Sequence, residues 1–159
     1  MMPHQTLHHA ICPRPADDSE RFKQAKYDGL YMDIACRIAL MSHDRDMQVG
    51  CVLVKDNNII AFGWNGTPRG FDNECKGPDG HTLPIVTHAE MNAFAKLARN
   101  GTSGCFGSTL YCTLSPCYDC SKLMIQSGVV RLVYVEECRN GRPMLDFLRK
   151  SGMKVDQLA

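Results

Sequence analysis

The hydrophobic positions of the chain alternate between helical and strand-like spacing. From residue 20 to about residue 41, apolar side chains recur every three or four positions, as on one face of a helix. The residues of this face are Leu30, Ile34, Ile38 and Met41. The apolar run 49–54 (VGCVLV) is typical of a buried strand, and a polar turn leads into a second apolar run, 59–64. The first part of the chain is therefore predicted to be a helix followed by a β-hairpin.

The second half of the chain continues this alternation after a long loop, 65–84, that is rich in glycine and proline. Its spacing predicts a helix at 88–100, a strand at 108–113, a helix from 115 to about 128, a strand at 131–137, a helix at 143–151 and a short strand within 153–158. Helices that alternate with strands in this way favour an α/β fold with helices on the faces of a central sheet.

The size and charge of the chain narrow its class. Its 159 residues most simply form one domain, which we place at 19–159, after a flexible lead-in at 1–18. The net charge of +1 lacks the basic surplus of proteins that bind nucleic-acid polymers. No apolar run approaches the ~18 residues of a membrane span, and the polar start does not resemble a signal peptide. We therefore expect no membrane association and a cytoplasmic location.

The nine cysteines are numerous for such a chain. An odd number in a reducing compartment argues against a disulfide framework. Most of these cysteines are therefore expected to be small buried residues or metal ligands.

The stretch SPCYDC (115–120) holds two of these cysteines three positions apart, Cys117 and Cys120. Ser115 could cap a helix with Pro116 at its first position, which would leave both cysteines facing a core. A redox pair at a helix start is a second interpretation. The two cysteines alone do not decide between these readings and a metal site.

The stretch THAE (87–90) also begins a predicted helix, and Thr87 and Glu90 could form a capping box. If both helices start at the same place, His88, Cys117 and Cys120 supply one imidazole and two thiolates, a ligand set that zinc favours. Three ligands leave one position for a water, as in catalytic zinc sites. The site would instead be closed and structural if Cys112 or Cys105 filled that position.

Glu90 lies two residues after His88 and would stand beside such a metal without binding it. A carboxylate there can accept a proton from metal-bound water and pass it to a substrate. The pattern H-x-E followed by P-C-x-x-C is the signature of zinc deaminases.

With these motifs, the sequence resembles the cytidine deaminase superfamily and, more closely, the deoxycytidylate (dCMP) deaminases. Four stretches carry the resemblance: VGCVLVKDNNIIAFGWNGTPRGF, THAEMNAF, TLYCTLSPCYDC and KLMIQSGVVRLVYVEE. The loop GWNGTPRG (63–70) is the most discriminating of them, because HAE and PCxxC occur in many deaminases. The resemblance implies a three-layer α/β fold with a five-stranded mixed sheet flanked by helices.

The resemblance also implies an activity and a set of site residues. It implies the hydrolytic conversion of dCMP to dUMP and ammonia, which supplies dUMP for thymidylate synthesis, with one catalytic zinc on His88, Cys117 and Cys120 and with Glu90 as the proton shuttle. The residues that it implies for substrate binding are Asn65, which would hold a sugar hydroxyl, Ala89, Ser115 and Arg45. For the phosphate, Arg69 and Arg99 are further candidates beside Arg45 and Ser115, because phosphate favours arginine and hydroxyl donors.

Similar enzymes are often hexamers that dCTP activates and dTTP inhibits, so a homo-oligomer with these effectors is implied here too. The allosteric nucleotide, with a possible Mg²⁺ on dCTP, would then contact Gly63, Asn65, Gly66 and Arg99. Some relatives hold a second zinc in the long loop, where this chain has Cys75 and His81 but no full ligand set.

Three alternatives remain at this point. Many dCMP deaminases have a tyrosine near the position of Cys138, so a C5-modified dCMP or a free nucleoside is an alternative substrate. A deaminase of nucleic-acid bases would share the zinc chemistry but would require a basic, aromatic mouth. A zinc-stabilised binding module would have no use for Glu90.

Overall fold

The computed structural model describes residues 20–101 and 104–158, so the predicted lead-in at 1–18 lies outside the described residues. Every predicted helix and strand is present. In chain order they are α1 (Glu20–Ala39), β1 (Gly50–Lys55), β2 (Asn58–Trp64), α2 (Ala89–Arg99), β3 (Thr109–Leu114), α3 (Tyr118–Gln126), β4 (Arg131–Glu136), α4 (Arg142–Lys150) and β5 (Lys154–Gln157). Among these residues, no helix is both long and apolar enough to cross a membrane.

The five strands form one sheet in the order β2-β1-β3-β4-β5. Strand β1 runs antiparallel to both β2 and β3, whereas β3, β4 and β5 run parallel to one another. The predicted five-stranded mixed sheet is therefore confirmed. The parallel part requires crossover connections, which α3 and α4 provide.

Alternate strand residues face opposite layers of helices. On one face, Leu53, Leu110 and Leu132 pack in a core cluster with side chains of α2, α3 and α4. On the other face, Val52 and Val133 pack against α1. This period of two is expected for strands that are covered on both sides, and it gives the three layers that the family resemblance implied.

The predicted apolar face of α1 is confirmed in part, because Ile34 and Ile38 are partly buried and pack against the core. Leu30 and Met41 are exposed, while the buried stripe consists of the neighbouring Tyr31, Met32, Ala35 and Ala39. Both stripes have helical spacing, so the pattern alone could not choose between them. The close approach of β1 determines which stripe is buried. A side chain at Gly50 would collide with the Ala35 carbonyl oxygen and the Ala39 backbone.

A buried ionic network joins α1 to the sheet. The Arg131 guanidinium donates two hydrogen bonds of 2.7 Å to the Asp28 carboxylate and a third to Asp156. The Tyr111 hydroxyl donates to Asp28 at 2.7 Å. Burial opposes the ionisation of Asp28, but the bonds from Arg131, Tyr111 and Gln24 outweigh burial and hold the pKa of Asp28 below its usual value.

Candidate active site

The N-termini of two helices lie close together, and each helix begins with a potential metal ligand. His88 is the N-cap residue of α2, and Cys117 is the N-cap residue of α3. Both have extended backbones, and neither side chain makes a capping hydrogen bond. The capping interpretations were therefore wrong: Thr87 lies before the cap of α2, and Ser115 lies between β3 and the cap of α3, where its N–H donates to the Glu136 carbonyl oxygen. The side chains of His88 and Cys117 are free to face each other.

As predicted, the structure brings His88, Cys117 and Cys120 together. The Nδ1 atom of His88 lies 3.4 Å from the Cys117 Sγ and 3.5 Å from the Cys120 Sγ, and the three potential ligand atoms all lie within 4.8 Å of one another. In a tetrahedral zinc site, bonds of about 2.3 Å to sulfur and about 2.1 Å to nitrogen separate these atoms by about 3.6 Å. The three residues therefore fit zinc in both chemistry and spacing.

The surroundings of the two thiols favour a thiolate at Cys117. Hydrogen bonding from Cys120 and from His88 lowers the pKa of Cys117 to about 4. The pKa of Cys120 is raised, because it shares its proton with Cys117 and is buried beside Glu90. The hydrogen bond with Cys117 raises the pKa of His88. A dication among these groups would compensate both thiolates, and the positive ends of α2 and α3 add to this effect.

Glu90 is buried in the first turn of α2, next to the three ligands. Burial raises the pKa of its carboxyl group, and its side chain is hydrogen-bonded to Cys120. A carboxyl group with a raised pKa can both accept and return a proton near neutral pH. Next to a metal, this arrangement can perform hydrolysis with proton transfer.

The cysteines that could have closed the site make other contacts. Cys112 is hydrogen-bonded to Cys51 across β1 and β3, and Cys105 donates to the Ser127 carbonyl oxygen at 3.2 Å. Within 20–101 and 104–158, the one group of three or more potential metal ligands is the His88 set. Neither Cys112 nor Cys105 belongs to it, and neither do Cys75 and His81 of the long loop.

A cavity of about 230 Å³ opens in front of His88, Glu90 and Cys117. Of the residues predicted to bind substrate, Asn65, Ala89 and Ser115 line this cavity. The Asn65 side chain is buried and ties the neighbouring wall together: its Nδ2 donates to the Met47 carbonyl oxygen at 2.8 Å, and its Oδ1 accepts the Val49 N–H at 2.9 Å.

Ser115 fixes the opposite wall. Its hydroxyl oxygen accepts the N–H of Cys138 at 2.9 Å, and Cys138 lines the cavity. The turn fits because Gly141 has no side chain, since a Cβ there would approach the Ser115 hydroxyl oxygen to 2.8 Å. The structure therefore gives Ser115 a contact with this turn, which sequence reasoning did not anticipate.

The other predicted residues lie outside the cavity wall. Arg45 is exposed and borders a neighbouring polar cleft, and Arg99 is exposed at the end of α2. Gly63 is buried against α2, where a side chain would collide with the Ala89 carbonyl oxygen.

Gly66 and Arg69 border a third cleft of about 240 Å³. Three further residues of this cleft are Trp64, Asn92 and Lys96. The ammonium of Lys96 stacks 4.0 Å from the Trp64 ring.

Sequence reasoning missed several residues of the cavity wall, among them Asp44, Met47 and Thr82. Asp44 is buried, and its Oδ1 accepts the N–H groups of Asp46 and Met47. The segment SHDRD after α1 carried a signal for this turn, because aspartate commonly bonds the backbone two residues ahead. Nothing local in the sequence indicated that the turn faces a cavity.

With this geometry established, comparison with known proteins gives a consistent result. The family profile described as "Cytidine and deoxycytidylate deaminase zinc-binding region" matches residues 25–136. The crystal structure of dCMP deaminase from the cyanophage S-TIM5 in complex with dCMP and dUMP is similar, with 40% identity and a TM-score of 0.79, over 89% of this chain and 100% of that one.

Curated relatives agree with the structural match. The deoxycytidylate deaminase of Enterobacteria phage T4 is 32% identical, over 78% of this chain and 86% of the phage protein. The deoxycytidylate deaminase of Saccharomyces cerevisiae is 31% identical, over 90% of this chain but 49% of the yeast protein. The chain thus spans about half the length of its yeast relative.

Proposed function

Because the chain belongs to the deoxycytidylate deaminase family of the cytidine deaminase-like zinc-binding superfamily, we propose that it catalyses the hydrolytic deamination of dCMP to dUMP and ammonia. This reaction would supply dUMP for thymidylate synthesis. The observation that carries the proposal is the position of buried Glu90 beside the His88, Cys117 and Cys120 set, at a cavity of about 230 Å³.

The residues of the site divide the chemistry among them. His88, Cys117 and Cys120 would hold one zinc ion. When bound, zinc supplies a Lewis acid that lowers the pKa of a water molecule towards about 7. Glu90 would take the two protons of a water molecule in turn and deliver one to N3 of cytosine and the other to the departing amino group, while the water oxygen bonds to C4, so that water and dCMP become dUMP and ammonia.

Substrate orientation follows from the cavity walls. Asn65 uses one amide hydrogen on the Met47 carbonyl oxygen, which leaves a second amide hydrogen for a sugar hydroxyl. Ala89 and Ser115 line the cavity together with Glu90 and Cys117, which supports their role in holding the base. Arg45 borders the adjoining cleft and remains a candidate for contact with the phosphate.

One alternative substrate class has a specific observation in its favour. Cys138 lines the cavity with a small side chain, which supports a C5-modified dCMP as a second candidate. A deaminase of nucleic-acid polymers has less support, because the net charge is only +1.

Regulation and assembly are further parts of the proposal. A cleft bordered by Trp64, Gly66, Arg69 and Lys96 has an aromatic ring and cations suited to a nucleotide. We propose that dCTP, with Mg²⁺, and dTTP act at this loop in a homohexamer, with Gly63 and Asn65 shaping the loop and Arg99 nearby.

The experiment that tests the proposed function compares substrates for the zinc-loaded protein. Ammonia release is measured for dCMP, 5-methyl-dCMP, CMP, deoxycytidine and a cytosine-containing oligonucleotide, each with and without dCTP and Mg²⁺. We expect dCMP to be turned over fastest and dCTP to change its rate. Turnover of another substrate alone would replace the assignment, and no turnover of any substrate would favour a zinc-stabilised binding module.

A further inference from the structure

The described side chains that line the cavity in front of Glu90 include no lysine or arginine for the phosphate of a nucleotide. The described residues that line it include two carboxylates, Asp44 and Glu90, and neither a lysine nor an arginine. A nucleoside monophosphate brings a phosphate dianion, which binds best to cations and to strong hydrogen-bond donors. Among the described residues, a lysine or arginine for this phosphate would therefore have to lie behind the wall.

Lys76, in the long loop, holds its ammonium at this position. Its Nζ lies 3.1 Å from the Thr82 Oγ1 and 3.4 Å from the Asp44 Oδ2. Thr82 and Asp44 both line the cavity. The Lys76 side chain is 23% exposed and borders the neighbouring polar cleft, so its ammonium stands behind the cavity wall, against Thr82 and Asp44.

The partners of Lys76 hold it loosely. Its distances to the carboxylates of Asp44 and Asp46 are 3.4 and 3.7 Å, longer than the about 2.8 Å of a strong charge-assisted hydrogen bond. Asp44 already accepts two backbone N–H groups with its other oxygen, and the Asp46 side chain is 74% exposed. Lys76 can therefore turn towards an incoming anion while Asp44 keeps its two backbone hydrogen bonds.

The wall also places this cation at the correct end of the cavity. Asn65, which is free to hold a sugar hydroxyl, bonds the Met47 carbonyl oxygen, and the Met47 N–H bonds Asp44. The wall thus continues from Asn65 through Met47 to Asp44 and Lys76. The sugar and the phosphate of a nucleotide follow one another in the same order.

The long loop is built to present this pair of residues. Lys76 and Thr82 face each other in an antiparallel bridge. The turn between them is closed by hydrogen bonds from Gly77 N to His81 O and from Gly80 N to Gly77 O. Because the Thr82 hydroxyl accepts its bond from Lys76, its own hydrogen remains available for a phosphate oxygen.

We propose that Lys76, with the Thr82 hydroxyl beside it, binds the 5′-phosphate and makes the enzyme select the nucleotide over the nucleoside. This inference rests on the proposed function and assigns the phosphate-binding end of the same site. Lys76 is the specificity-determining residue, and the Asp46 carboxylate competes with the phosphate for the Lys76 ammonium.

The test compares zinc-loaded wild type, Lys76→Met and Asp46→Asn on dCMP and on deoxycytidine. Lys76→Met keeps the length of the side chain and removes its charge, so kcat/KM for dCMP should fall about tenfold or more, while that for deoxycytidine stays within about twofold. Asp46→Asn should act in the opposite direction and raise kcat/KM for dCMP about twofold. Lys154→Met is the matched control, because Lys154 forms a similar ion pair with Asp156, at 3.3 Å, on β5.

Binding of the products gives a readout that does not depend on turnover. Titration calorimetry should show that Lys76→Met weakens dUMP binding and leaves deoxyuridine binding unchanged. Equal losses for nucleotide and nucleoside, or an unchanged preference for dCMP, would overturn the role of Lys76 while the proposed function stands. If the wild type turns over neither dCMP nor deoxycytidine, the proposed function fails and this inference fails with it.

Discussion

His88 and Cys117 occupy the same place in two different helices. Each is the N-cap residue of its helix, each has an extended backbone, and each directs to the other a side chain that makes no capping bond. Capping is worth about 1 kcal/mol per helix, so the fold gives up local stability at both helix starts. The benefit is a preformed pair of ligands, completed by Cys120 one turn into α3.

Substitution of Cys117 by serine should remove metal binding without unfolding the domain. The serine hydroxyl is a poor zinc ligand, whereas the Cys117 thiol has a pKa lowered to about 4 by Cys120 and His88. We expect the bound zinc, measured by mass spectrometry of the purified protein, to fall from one ion per chain to a small fraction. Cys36→Ser is the control, because Cys36 is exposed on α1. Equal zinc in both variants would contradict the ligand assignment.

Gly63 should tolerate no side chain. A Cβ at this position would collide with the Ala89 carbonyl oxygen and with the backbone of Ala93, so alanine must push β2 away from the start of α2. We expect Gly63→Ala to lower the free energy of unfolding by about 2 kcal/mol or more and to weaken zinc binding through His88. Urea unfolding and zinc content measure the two effects.

Gly29→Ala provides the matched control, since a Cβ at Gly29 meets no atom within 4 Å. Alanine is the better helix former there, so this variant should gain about 0.5–1 kcal/mol. If both substitutions had the same effect, Gly63 would not be held by contact with α2.

The sequence predicted those parts of the site whose residue types and spacing are recognisable within a short segment. The motifs around His88 and Cys117 combine ligand spacing with predicted helix starts, and both sets of residues converge in the structure. The same local signals gave the wrong start for α3, because Ser115 and Pro116 have the residue types of a cap. The Ser115 N–H instead bonds the Glu136 carbonyl oxygen at the end of β4, and this bond joins residues 21 positions apart.

The Asp28–Arg131 ion pair should make the free energy of unfolding of the domain fall at acid pH. The folded-state pKa of Asp28 lies below its ordinary value of 3.8, so its contribution to stability is present above that pH and is lost as the pH falls through the lower folded-state pKa. Asp28→Asn leaves Arg131 without its main partner and should cost about 3 kcal/mol at pH 7. Urea unfolding of both proteins from pH 7 downwards measures the difference.

The informative quantity is the difference in free energy of unfolding between the wild type and Asp28→Asn, since acid also releases zinc from both proteins. We expect it to be constant above about pH 4 and to narrow below that value. A difference that stayed the same throughout the acid range would show that the charge of Asp28 is not responsible.

Ser115→Ala should loosen the turn that holds Cys138 at the cavity. The N–H of Cys138 would lose its acceptor, a loss worth about 1 kcal/mol, or about fivefold in an equilibrium constant. We expect this loss mainly as a higher KM for dCMP, with kcat changed less. Ser151→Ala, which removes a hydroxyl bonded to Leu148 at the end of α4, should leave both constants unchanged. A fall in kcat alone would instead place Ser115 in the chemical step.

The residues that sequence reasoning missed are held by contacts between distant segments. Of these missed residues, Asp44 contacts Lys76, and the Met47 carbonyl oxygen accepts a hydrogen bond from Asn65. Polar contacts of this kind have no period and no fixed spacing, so no window of the sequence reveals them. The buried face of α1 was predicted only in part for a related reason, because two adjacent stripes were both apolar and only contact with the sheet determines how deeply each is buried.

The measurement that tests the central claim most directly is turnover of dCMP by zinc-loaded wild type and Glu90→Gln, with bound zinc determined on the same samples. The amide keeps the shape of the buried Glu90 side chain but cannot exchange a proton. We predict that Glu90→Gln binds as much zinc as the wild type and releases ammonia from dCMP at least about a hundredfold more slowly. Equal turnover by both zinc-loaded proteins would contradict the role of Glu90 as the proton carrier.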